Sequence, residues 1–327
     1  MLVARCVRPI LVHTLALAAL LTSTGAPLAA SELAVRAIVK PQSAIVPVAV
    51  FGTDERSDLP TRYLSLKRHI GILRLNGTSI CSAFCVAEDA IATAGHCLFG
   101  TAEAKGPDAA KLEFALDAGG ATQTSRLAGD DAGDVRARAV AGTRRLRVTP
   151  PIDAANDWAI AQLSNPICHA GGLTITQLPR RALDERAKKG DVYQIAMHRD
   201  LSASALRYGG PCAIASSFAA ADMATINQDF ADASGVLLHT CDTGAGSSGS
   251  PLLVDGPGGP EVVGINVGTY VLSHSDAQTS SVASDKRAAP SPIANTAVFA
   301  GRFRSAVDAL GVVTGTIGKP DQRAKGF

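Results

Sequence analysis

The sequence lacks an excess of charge of either sign. Lysine and arginine number 31 and aspartate and glutamate 29, a formal net charge of +2. Two of those cations, Arg5 and Arg8, lie in an opening stretch without acids, so the remainder is neutral. A neutral chain has no basic face for a polyanion, and no nucleic-acid partner is expected. Past residue 30 there is no apolar run approaching the roughly 20 residues that a spanning helix needs, so no membrane anchor is expected. No internal repeat is evident either. What is present is a chain of 327 residues, 46% hydrophobic and 18% charged, a balance that argues against disorder. That length has room for one large domain or two lobes with substantial cores.

The first thirty residues have the layout of an export signal. Arg5 and Arg8 form a basic start, Ile10 to Leu21 is apolar apart from His13 and Thr14, and small residues follow from Gly25 to Ala30. Cleavage after Ala30 and a secreted or periplasmic location are expected. Residues 31–50 are either a pro-segment or the first ordered stretch of the mature chain. Without Cys6 the cysteines are Cys81, Cys85, Cys97, Cys168, Cys212 and Cys241, an even set that suggests up to three disulfides in an oxidising compartment. Cys81, Cys85, His96 and Cys97 could also suggest a metal cluster. Adjacent ligands such as His96 and Cys97 rarely reach one ion, and export favours oxidation, so no metal is expected.

The remaining apolar stretches are short and separated by Gly, Pro, Asp and Ser. They include Ile70–Leu75, Ile80–Val86, Lys111–Leu116, Trp158–Leu163, Val192–Met197, Val236–Thr240, Pro251–Val254 and Glu261–Val271. This pattern predicts an all-β protein. Asp255 to Gly259 reads as a turn, and the polar stretches 117–134 and 273–292 read as surface loops. Phe303, Val307 and Leu310 stand at helical spacing and predict a C-terminal helix.

Three segments carry chemistry when taken together. Ala92-Thr93-Ala94-Gly95-His96-Cys97 ends an apolar run in a small turn bearing one histidine. Gly244 to Pro251 is a Gly/Ser loop that could hold the Ser248 hydroxyl outward, with the N–H groups of Gly246 and Ser248 converging on an oxyanion. Asn156-Asp157-Trp158 opens an apolar strand with an aspartate, and Asp153 is its nearby competitor. Each alone is more often a structural histidine, a flexible turn or a turn aspartate. A serine needs an imidazole to take its proton, and the imidazole needs a carboxylate behind it. His96, Asp157 and Ser248 supply all three in the chain order of chymotrypsin-type enzymes.

On these motifs the sequence resembles the trypsin/chymotrypsin superfamily of serine proteases, in particular the bacterial branch that includes the V8-type glutamyl endopeptidases. Thr93 to Cys97 match the histidine motif and Gly246 to Pro251 the serine motif, with a looser match at Asp157 to Leu163. Gly52 to Arg56 resembles the start of the mature domain, and Val262 to Ile265 a strand lining the specificity pocket. The resemblance runs from about residue 50 to 310. It implies two six-stranded antiparallel β-barrels, His96 and Asp157 on the first (51–165) and Ser248 on the second (166–327). It further implies peptide-bond hydrolysis through an acyl-enzyme, a protein or peptide substrate, and no cofactor. Cys81–Cys97 has the spacing of the family's disulfide beside the histidine. The other four cysteines allow three pairings, of which Cys212–Cys241 with Cys85–Cys168 is the one expected.

Departures from the family bear on regulation and specificity. Ser247 stands where trypsin has the aspartate that pairs with a freed N-terminal amine, so activation by that ion pair is not expected. Asp242 holds the place of trypsin's pocket-base aspartate and would favour Arg or Lys, unless it is structural, as in many bacterial relatives. Asn266 replaces the histidine of the glutamyl endopeptidases, so a Glu-specific pocket is not expected. Thr269 would narrow the pocket mouth. The rival reading is a binding module on the same fold that has lost catalysis; hydrolysis of esters or other acyl compounds is a third.

Overall fold

The computed structural model describes residues 42–46, 49–117, 120–187, 190–215, 217, 222–273 and 291–316. The export segment 1–30 lies outside them, as does most of the stretch 273–292. Two antiparallel sheets dominate. The first runs in the order Thr122–Arg126, Leu112–Asp117, Ile70–Leu75, Thr78–Ala87, Ala90–Thr93, Ala159–Gln162 and the short Val140–Ala141. Its two ends meet: a bridge joins Leu127 to Leu163, and Ala128 N donates to Gln162 O at 2.8 Å. The second follows the path Ser202–Cys212, Val192–His198, Pro251–Gly256, Gly259–Ser273, Ser291–Phe299 and Val236–His239. Its ends meet likewise at Ile214 and His239, with Ala215 N donating to Leu238 O at 2.8 Å. Pairing the ends curls each sheet on itself and leaves fewer open edges.

Among the described residues the strand counts are 7 and 8 rather than six and six. Six strands form the main body of each sheet, and the surplus is peripheral. Val140–Ala141 extends the first sheet. Gln42–Val46 and the two-residue Thr174–Ile175 both pair with the long strand Gly259–Ser273 of the second.

Alternation explains why these segments are strands. Along Pro251–Gly256, Leu252 and Val254 face the interior of the second sheet with Leu183, Val192, Leu237 and Val263. Leu253 points the opposite way, into a core shared with Ile70, Phe84, Ile91, Phe114 and Tyr270. The sheets therefore share one apolar body. A second link is the 3-10 helix Thr61–Arg68. Its Tyr63 ring stacks on Tyr193 at 4.5 Å and Tyr208 at 5.6 Å, and the Asp255 carboxylate accepts from the hydroxyls of Tyr63 and Tyr193.

The stretch 117–134 is not simply a loop. It holds the strand Thr122–Arg126 and the start of the helix Ala132–Arg138. The strand's sequence is Thr-Gln-Thr-Ser-Arg, with only Ser125 buried, so it carries no apolar alternation. The helix is started by Asp131, whose side chain accepts from Gly133 N and Asp134 N. The C-terminal helix spans Arg304–Thr316, anchored by Phe303, which is fully buried and 6.3 Å from the Trp158 ring.

Candidate active site

The histidine turn is tied down from several sides. Ala90–Thr93 ends the apolar run, Thr93 Oγ1 donates to Ser82 O at 2.8 Å, and the short helix His96–Phe99 follows. A side chain at Gly95 would press on Asp157 Oδ1 at 3.1 Å, so glycine lets the turn lie against the aspartate. Disulfide Cys81–Cys97 fixes the other flank; Cys85–Cys168 and Cys212–Cys241 are the remaining bridges. Cys81, His96 and Cys97 lie within 4.8 Å of one another, but the two sulfurs are joined and are not thiolate ligands.

Asp157 is completely buried. One oxygen accepts from His96 Nδ1 at 2.6 Å and the other from the His96 backbone N–H at 2.7 Å. Both oxygens thus address one residue and fix the ring orientation. With Nδ1–H directed at the acid, Nε2 is the basic nitrogen. Burial is the largest influence on His96 and lowers its pKa, but the charge of Asp157 and its hydrogen bond together outweigh it. The net shift is upward from 6.5. Asp153 is engaged elsewhere: its Oδ1 accepts from Asn156 Nδ2 at 2.8 Å.

The serine loop leans on this turn. Ser248 O accepts from Ser82 N at 2.8 Å, and a Cβ at Gly249 would collide with Thr93 Oγ1 and Ser82 O. Gly246 and Gly249 have φ of 99° and 83°, the left-handed region that favours glycine. The N–H groups of Gly246 and Ser248 have no acceptor among the described residues. Ser248 Oγ donates to Val267 O at 2.9 Å, and among the described residues it makes no hydrogen bond to the imidazole.

Residues 81–265 match the family model of the trypsin-like peptidase domain. The chain belongs to that family. Among solved structures, one of a Glu endopeptidase in complex with MPD is similar at 15% identity, covering 80% of this chain and 100% of that one, with a TM-score of 0.49. No curated protein sequence matches.

In this member of the trypsin-like peptidase family the sequence-predicted pocket residues are engaged with the protein itself. Asp242 accepts from Phe51 N at 2.8 Å and Glu55 N at 2.9 Å, one bond per oxygen. Its carboxylate fastens the chain segment 51–55. Asn266 Oδ1 accepts from His239 Nε2 and its Nδ2 donates to Ser247 Oγ, both at 3.2 Å. Thr269 Oγ1 donates to Asn295 Oδ1 at 2.5 Å. All three side chains are buried.

One participant escaped the sequence. Ser82, fully buried, donates from Oγ to Gly246 O and accepts from Met197 N, each at 3.0 Å, while its own N–H holds Ser248 O. It pins the serine loop to the first sheet. Its only sequence signal is a hydroxyl in an otherwise apolar run, Cys81-Ser82-Ala83-Phe84.

Proposed function

We propose that the chain is an exported serine endopeptidase in which Ser248 is the nucleophile, His96 the general base and Asp157 the orienting acid. The observation that carries this reading is the buried Asp157 carboxylate bonded to both Nδ1 and the backbone N–H of His96, beside the glycine-framed serine loop. In the reaction, Ser248 Oγ rotates from Val267 O towards His96 Nε2, gives up its proton there and attacks the peptide carbonyl. Asp157 stabilises the imidazolium that forms, and His96 returns the proton to the leaving amine. The free N–H groups of Gly246 and Ser248 are the donors for the oxyanion, each worth about 10²–10³ in rate. Water then releases the acyl group by the same steps in reverse. Three disulfides accord with an oxidising compartment, and no helix among the described residues is long and apolar enough to cross a membrane.

A catalytically silent binding module is the second reading, favoured by the Ser248 rotamer. A serine-directed phosphonate separates the two. One label per chain on Ser248, abolished in Ser248→Ala together with at least about 10⁵ of the peptide turnover, supports the enzyme. Folded protein that takes no label supports the module.

A further inference from the structure

The edge beside Ser248 is occupied by the chain's own N-terminal segment. The long strand Gly259–Ser273 has two edges. One is covered by Ser291–Phe299 from Gly264 to Leu272. The other is covered by Pro251–Gly256 only as far as Ile265, after which that partner departs into the serine loop. Asn266 on this second edge still bonds the loop, accepting from Gly249 N and donating to Ser250 O. Val267 comes next, and its carbonyl receives Ser248 Oγ. From Val267 onward Pro251–Gly256 therefore leaves this edge to another strand, a row of N–H and C=O groups starting at the nucleophile, the kind of edge on which an extended peptide adds.

Gln42–Val46 already fills it. The segment pairs antiparallel from Gln42 opposite Ser273 to Val46 opposite Thr269. Its direction brings the chain towards the nucleophile. A bound peptide of the same polarity and register, two residues longer, would lie opposite Val267, level with Ser248. Downstream, the chain is tied to the segment leading into the nucleophile loop. Ala49, buried, donates to Thr243 Oγ1 at 3.1 Å and accepts from Thr243 N at 2.9 Å and Asn295 Nδ2 at 3.3 Å. Phe51 and Glu55 then engage Asp242. Strand and tether together engage two of the three residues expected to line the pocket, Val46 pairing with Thr269 and Phe51 and Glu55 bonding Asp242.

We propose that residues 42–46 are a built-in competitor strand that holds the uncut protein in a low-activity state, released by cleavage between Val46 and Ala49. This rests on the catalytic reading above. The tether gives the strand an effective concentration on the order of 1 mM, and for a peptide of ~0.1 mM affinity this fills about nine-tenths of the sites. Release then raises kcat/KM about tenfold. The strand's bonds are main-chain, so its action depends on backbone shape rather than on particular side chains.

The test uses the full chain with a site-specific protease sequence inserted between Pro47 and Val48. Peptide hydrolysis and the rate of phosphonate labelling are measured before and after cutting the folded protein. A second variant, Ala44→Pro, stays uncut and weakens strand pairing without touching the catalytic residues. The proposal expects both rates to rise about tenfold on cutting, a smaller rise in Ala44→Pro, and competitive suppression when a peptide of residues 40–48 is added back to the cut enzyme. Unchanged rates in both variants, with Ser248 labelled stoichiometrically throughout, overturn the strand proposal and leave the catalytic reading standing. No label before or after cutting overturns both.

Discussion

Each sheet holds imidazole close to the serine loop, one ring half-buried beside the first and two fully buried in the second, and the two sheets treat it in opposite ways. In the first, Asp157 stands behind His96 and the pair raises the ring's pKa against the pull of burial. In the second, His239 and His198 are fully buried, and among the described residues no carboxylate is hydrogen-bonded to either ring. His239 Nε2 donates to Asn266 Oδ1, and among the described residues neither ring nitrogen of His198 has a hydrogen-bond partner. Burial, the largest cause, lowers both to about 4, and the Arg56 charge adds to the effect at His198. The lesson is that burial alone makes a histidine inert. A buried carboxylate at hydrogen-bond distance makes it a base able to hold a proton in mid-reaction.

The sharpest way to break this contrast is to make His96 resemble the others. Asp157→Asn keeps the size of the side chain and removes the charge. It is expected to lower kcat by about 10⁴. The residual activity should also show its acid limb moved to lower pH, because the carboxylate is what raises the His96 pKa. Steady-state rates between pH 5 and 9 read both. An equal loss in Asp153→Asn would reassign the acid.

Next in size is Gly249→Ala, which tests whether the two sheets are in contact at the serine loop. The new Cβ would press on Thr93 Oγ1 and Ser82 O, the second a backbone atom with little room to yield, and the residue sits at φ 83°. Left-handed strain and overpacking together should cost about 3 kcal/mol, read by denaturant unfolding. The loop should also shift enough to lower the rate of Ser248 labelling. A stable, fully reactive variant would mean that the glycine is dispensable.

The same contrast shows what was legible in the sequence. The histidine turn and the serine loop could be found because glycine and small residues mark tight turns within a few positions. The long buried strands, such as Ile70–Leu75 and Gly259–Ser273, announced themselves by apolar content. Other features left no local trace. Ser82 binds groups more than a hundred residues away, and a serine in an apolar strand looks the same whether it binds them or not. Thr122–Arg126 is an edge strand with most side chains in solvent, so nothing selected for alternation. Asp242 stood at a position with two physical uses, and its use follows from where Phe51 and Glu55 fold back. Residues 31–50 were open between two readings, and the partner of 42–46 lies more than 220 residues along the chain.

The smallest effect concerns pH and stability, and it sharpens the contrast between the sheets. His198 and His239 have folded pKa values of about 4, below the unfolded 6.5. Their burial in neutral form contributes stability that is fully present above pH 6.5 and is lost as the pH falls from there towards 4. Each proton taken up on unfolding steepens that loss by about 1.4 kcal/mol per pH unit. His96 has the opposite sign: its raised pKa contributes stability below pH 6.5 that is lost as the pH rises through the folded value. Denaturant unfolding of Ser248→Ala, which cannot digest itself, should therefore show stability falling between pH 6.5 and 4. Adding His239→Gln should remove about one proton from that slope, whereas adding Asp157→Asn should remove the stabilisation that His96 gains on protonation and steepen the slope by up to about one proton, because burial then lowers the His96 pKa unopposed. If His239→Gln left the slope untouched, the second-sheet histidine would not be the neutral buried group on which the contrast depends.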